Sequence, residues 1–161
     1  MTIDGKPLPS FLDATETRTQ YGALCWRRAK NGVEVLLITS RDTGRWVIPK
    51  GWPIKGLSPE ATAAREAWEE AGAEGETDSH CLGLYSYDKG LGPANGPQRQ
   101  VPCIVAVYSL HVRDLADRFP EVKQRQRKWF PPHKAARKVA EPELQALLAG
   151  LDQWPDSRTD A

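Results

Sequence analysis

The chain predicts an α/β protein, a single domain built as an α/β/α sandwich on a mixed β-sheet. Three observations carry this. Short apolar runs containing β-branched residues recur between Tyr21 and Phe130. One well-capped helix interrupts them after Ser58, and two weaker helical patterns follow the last strand. With 161 residues, 40% of them apolar, there is material for one core. No repeat or linker divides it.

Taken in order, the elements are these. Met1 to Thr19 is polar and contains proline, which reads as a loose arm or an edge segment. The expected limits are a flexible arm over 1–17, a domain over 18–150 and a frayed tail over 151–161. Tyr21 to Arg28 and Val33 to Ser40 read as antiparallel strands, turned at Asn31-Gly32. Trp46-Val47-Ile48 is a short strand ended by Pro49. Ser58 caps a helix with Pro59 at its first position, and Gly72 ends it. Cys81 to Tyr87 alternates as a strand. Gly90 to Pro97 is a loop, and a long strand runs from Gln100 to Val112. Trp129-Phe130 forms one more short strand. Helical patterns cover His133 to Val139 and Pro142 to Leu148.

The formal net charge of +1 provides no global field for nucleic acid or an anionic membrane. No stable nucleic-acid partner and no membrane attachment are expected. Apolar stretches are far shorter than a bilayer span, and no secretory leader is recognisable. Cys25, Cys81 and Cys103 lack metal-ligand spacing and read as structural thiols in a reducing cytoplasm. A monomer or homodimer is expected.

The helix carries the chemistry. On a wheel of about 100° per residue, Ala61, Ala64, Ala67, Trp68 and Ala71 share one arc, a face for packing on a sheet. Glu66, Glu69 and Glu70 fall on roughly the opposite side. Acids three and four apart repel by roughly a few tenths of a kcal/mol per pair. Gly72, Ala73 and Glu74 follow where a relieving base would sit, and Arg65 reaches only Glu69. A solvated acidic face is the bland alternative. The concentration of repulsion, and the loop Pro49-Lys50-Gly51-Trp52-Pro53 ahead of the helix, favour a site for a hard cation.

Gly51 to Ala73 resembles the Nudix box, G-x5-E-x7-R-E-U-x-E-E-x-G-U, in which U is a bulky aliphatic residue. Gly51, Arg65-Glu66, Glu69-Glu70 and Gly72 match. Leu57 stands where the box has its first Glu, and Ala67 and Ala73 replace bulkier residues. The resemblance implies a Nudix-type sandwich and a magnesium-dependent hydrolase, with manganese as a substitute ion. Glu66, Glu69 and Glu70 are the implied metal ligands, joined by a backbone carbonyl of Lys50 or Gly51. The catalytic set is then Glu66, Glu69 and Arg65. Either Glu66 or Glu121 is the implied proton acceptor for water. Loss of the first Glu removes the implied support of Arg65.

From Lys123 to Lys138 seven bases occur without an acid. Arg125, Arg127 and Lys128 precede the Trp129-Phe130 strand and suit phosphate oxygens. Arg18, Arg41 and Arg45 add charge near strand ends, and Trp52 is available for stacking. Trp46 reads as core. Residues 18 to 148 are similar in layout to the diphosphoinositol polyphosphate phosphohydrolase branch. That similarity implies a phosphate-rich small-molecule substrate, either dinucleoside polyphosphates or diphosphoinositol polyphosphates. Pyrophosphohydrolases of RNA 5′ ends or of nucleoside triphosphates, and a silent nucleotide-binding Nudix domain, are the rival expectations.

Overall fold

A computed structural model describes residues 2–3, 6–7, 18–93 and 95–152. Most of the expected N-terminal arm, and the tail with Trp154, lie outside the described residues. Near the start, β1 (Thr2–Ile3) pairs with β2 (Lys6–Pro7).

The main sheet has seven strands. Its centre is β3 (Arg18–Ala29), antiparallel to β4 (Gly32–Thr39) and parallel to β8 (Arg99–Leu115). The hairpin closes through Lys30-Asn31, one residue earlier than expected, because Ala29 pairs with Gly32. Where β3 begins and β4 ends, β5 (Trp46–Val47) pairs with β4, and β6 (Lys50–Gly51) pairs with β3. The edges are β7 (Ala73–Leu91) beside β8, and β9 (Arg127–Phe130) beside β4. Both β7 and β8 extend well beyond the apolar segments that marked them. Polar residues such as Glu74 and Arg99 alternate on exposed pleats, so hydrophobicity alone shortens each strand.

The helix α1 (Pro59–Ala71) covers one face of the sheet. The other face is covered by α2 (Pro132–Lys138) and α3 (Pro142–Ala149), completing the α/β/α sandwich. Alternate residues of β3 divide between the layers, as a strand's two-residue period requires. Ala23 and Cys25 pack toward α1, while Leu24 and Trp26 pack toward α2 and α3. Among the described residues no helix is long and apolar enough to cross a membrane.

The buried arc of α1 differs from the one expected. It runs through Thr62, Ala63, Ala67, Glu70 and Ala71, leaving Ala61, Ala64 and Trp68 half-buried. Alanine at positions 63, 67 and 71 brings the helix close to the sheet, and the contact turns Glu70 inward. A wheel drawn from apolar residues alone instead centres on Trp68.

Both ends of α1 behave as their residues require. The Ser58 hydroxyl accepts from the Ala61 N–H at 3.3 Å. Gly72 takes the left-handed conformation, φ 66°, and its N–H donates to Trp68 O at 2.9 Å. A Cβ there would overlap the Phe119 ring. Gly72→Ala should therefore destabilise by at least the 1–2 kcal/mol or so of left-handed strain. Urea unfolding measures this, and an unchanged midpoint would contradict the cap.

Candidate functional site

Close packing of α1 sets the site. Glu70, only 6% exposed, projects from its last turn toward β6. Its Oε1 accepts from the Lys50 N–H at 3.4 Å. One turn earlier, Glu66 lies against Gly51, where any Cβ would overlap the Glu66 carboxyl. Glycine there leaves room for the Glu66 carboxyl by close approach, not by backbone conformation. The two carboxyls are near enough to perturb each other's ionisation.

Burial governs their protonation. It pushes Glu70 up to about 8, against the opposing pull of Arg125 and Lys50. Burial also raises Glu66, helped by the charges of Glu69 and Glu121. Burial thus favours the protonated form of Glu70 at neutral pH, and Glu66 is shifted in the same direction. Burial lowers the Lys50 ammonium, against the charge of Glu70.

Arg125 sits inside this cluster. Its side chain, 9% exposed, contacts Glu70 Oε1 at 3.7 Å and donates from Nε to Glu121 Oε1 at 2.8 Å. Nη1 donates to Thr39 O at 3.1 Å. Arg125, expected to contact distal phosphates, is here directed into the acid cluster, donating to the partly buried Glu121 and to the Thr39 carbonyl. Glu121 is tied to α1 through its N–H, which donates to Glu69 O at 3.0 Å. Arg41 flanks Glu121 at 3.8 Å and donates to Gln124 at 3.1 Å.

Among the described residues, no group of three or more His, Cys, Asp or Glu already converges as a cation cage. The donor chemistry nevertheless fits a hard divalent cation. Glu66, half-buried, and Glu70, buried, are neighbouring oxygen donors one helical turn apart, with the Glu66 carboxyl against Gly51. Glu121 is close enough to influence Glu66.

Beside the carboxylates opens a cleft of about 700 Å³. Lys50 belongs to both, with its Nζ 5.1 Å from the centre of the Tyr87 ring. Arg45, Lys89, Tyr85, Gln100 and Glu141 also line it. Of these, sequence reading anticipated only Arg45 and Lys50. The every-second-residue spacing of Tyr85, Tyr87 and Lys89 placed them on one strand face, but nothing said which face met the helix loop.

The remaining candidates scatter. Arg127 donates to Ala71 O at 2.7 Å and caps α1, so it serves the helix end. Lys128 lies over the Phe130 ring at 5.4 Å. Trp52 is 37% exposed in the loop after β6. Trp46 meets Phe130 edge-on at 5.2 Å. Arg18 is in register with Cys103, whose other neighbour is Tyr87. Arg65 lies in a separate groove with Leu57, Ala61 and Trp68, and it has no ion pair among the described residues. Leucine at 57 offers the guanidinium no charge.

A family model for the NUDIX domain matches residues 18–151. The chain is 31% identical over 123 residues to Nudix hydrolase 16, mitochondrial, of Arabidopsis thaliana, covering 76% of this chain and 67% of the relative. It is 28% identical over 109 residues to human diphosphoinositol polyphosphate phosphohydrolase 3-alpha, covering 66% and 60% respectively. The chain thus spans about two thirds or less of these relatives' lengths. A structure of a C. elegans Ap4A hydrolase binary complex superposes with a TM-score of 0.58 at 21% identity, over 82% of this chain and 93% of that one. At that identity the likeness is one of fold.

The carboxyl pair yields a pH prediction. Glu70 ionises near its ordinary 4.5 when unfolded and only at about 8 when folded. Its contribution is complete below pH 4.5 and is lost progressively as pH rises to about 8. In chelator, Glu70→Gln should flatten that decline and gain relative stability at pH 8. Unfolding midpoints across this range would refute the pair if both proteins gave the same slope.

Proposed function

The chain belongs to the Nudix hydrolase family, and on that premise we propose a magnesium-dependent pyrophosphohydrolase that cleaves phosphoanhydride bonds in phosphate-rich small molecules. Dinucleoside polyphosphates and diphosphoinositol polyphosphates are the substrate classes. The observation that carries this reading is the pairing of the half-buried Glu66, seated against Gly51, with the buried Glu70 beside Lys50. The relatives' names support the class, one acting on diphosphoinositol polyphosphates and a fold neighbour on Ap4A.

Glu66 and Glu70 would hold the cation, with Glu69 and Glu121 adding negative charge nearby. When bound, magnesium neutralises phosphoanhydride oxygens and acidifies a water. Arg125 limits repulsion among the acids and fixes Glu121 in the cluster. Glu66, raised by burial, is the better proton acceptor for the attacking water, since Glu121 is committed to Arg125. Water's oxygen bonds to phosphorus, the bridging P–O bond breaks, and the leaving phosphate carries away the bond's electrons. Lys50 and Arg45 face the cleft where phosphate oxygens extend from the carboxylates. Free thiols at Cys25, Cys81 and Cys103 accord with a reducing cytoplasm.

Leu57 supports a second reading, a silent nucleotide-binding domain, because it offers no carboxylate and Arg65 makes no ion pair among the described residues, although Glu74 lines the same groove. Turnover separates the two. Glu70→Gln and Glu66→Gln should each lower kcat at least about a hundredfold, roughly 2.7 kcal/mol in barrier, while circular dichroism stays unchanged. Glu69→Gln should lose less. Near-normal magnesium-dependent activity in both major variants would remove the proposal, and absence of turnover in the native protein would favour the silent domain.

A further inference from the structure

The cleft beside the carboxylates has Glu141 at its floor. This residue is the N-cap of α3 and is 7% exposed. Its side chain makes no capping hydrogen bond. Oε2 meets Arg45 Nη1 at 3.4 Å, whereas Oε1 is buried with no hydrogen-bond partner among the described residues. A buried carboxylate oxygen without a donor is costly and asks for a ligand. Arg45, its one partner, has a side chain 46% exposed and can turn toward phosphate.

The charge around the cleft narrows the ligand. Arg45, Lys50 and Lys89 are balanced by Asp42, Asp88 and Glu141. A ring carrying phosphates on every side would press anions against three acids. An uncharged group bearing hydroxyl or amine donors meets no such repulsion, and the half-buried Tyr87 ring supplies aromatic surface for it, Tyr85 being buried in the core.

We propose that Glu141 is a specificity-determining residue that recognises the nucleoside part of the substrate, accepting a hydrogen bond from a sugar hydroxyl or base amine. This builds on the pyrophosphohydrolase reading by naming the group attached to the cleaved phosphates. Phosphates at the carboxylate end place the nucleoside in the cleft through Lys50. Of the two substrate classes proposed above, this selects the dinucleoside polyphosphates over the phosphorylated inositols.

Binding tests this without turnover, so a failure here is distinct from a failure to hydrolyse. Titrate native protein with ADP, its 2′,3′-dideoxy analogue, purine riboside diphosphate and inorganic pyrophosphate, all with magnesium. ADP should bind roughly ten- to a hundredfold more tightly than at least one donor-lacking analogue, the range for one charge-assisted hydrogen bond. Glu141→Ala should abolish that gap and leave pyrophosphate binding unchanged. Glu141→Gln, which keeps the volume and an acceptor oxygen, should reduce the gap and guards against misfolding of the alanine variant. Equal binding of all three nucleotides by the native protein would overturn the proposal. So would a native-sized gap in both variants, or an equal loss for pyrophosphate and ADP, which would mean that Glu141 only positions Arg45.

Discussion

Desolvation of one carboxyl, Glu70, is the constraint from which the site follows. The helix can approach the sheet because its contact face is alanine, and that approach leaves Glu70 only 6% exposed. Its oxygen must then be satisfied by protein donors, namely the Lys50 N–H and Arg125. A lone buried carboxylate is disfavoured, so a raised pKa and the largely buried Arg125 guanidinium accompany it. Each compensation draws in another segment: β6 through Lys50 and Gly51, and the loop before β9 through Arg125 and Glu121.

Sheet topology makes that convergence cheap in chain length. Because β5 and β6 pair near the point where β3 begins and β4 ends, the loop entering α1 starts beside the cluster. The pairing of β9 with β4 brings Arg125 and Arg127 to the same end. Arg127 then closes the last turn of α1, while Arg125, two residues earlier, enters the acid cluster. Neighbouring bases thus serve different ends: one holds the helix and the other offsets its acids.

Much of this was legible in the sequence. Ser58, Pro59 and Gly72 delimited α1 because caps are local chemistry. The hairpin, the short β9 strand and the layering followed from two-residue periodicity and turn residues. The NUDIX match agrees with the box read from Gly51 to Ala73. The rotation of α1 was not legible, since three small alanines outweigh one tryptophan only when the opposing surface is known. Nor was the division of the basic run between Arg125 inside and Lys128 outside. Glu141 was silent as well, because its partners Arg45, Tyr85 and Lys50 come from three distant segments. Leu57, in place of the box's first Glu, puts the anchoring of Arg65 in doubt; in the structure the two residues share a groove that Glu74 also lines.

The central claim is that the Glu66–Glu70 pair is where a divalent cation binds. Electron paramagnetic resonance of manganese titrated into the protein tests it without any substrate. The account predicts saturable binding by the native chain, displaced by magnesium, and at least about tenfold weaker in Glu70→Gln and in Glu66→Gln, roughly 1.4 kcal/mol. Equal affinity in the native protein and both variants would contradict it.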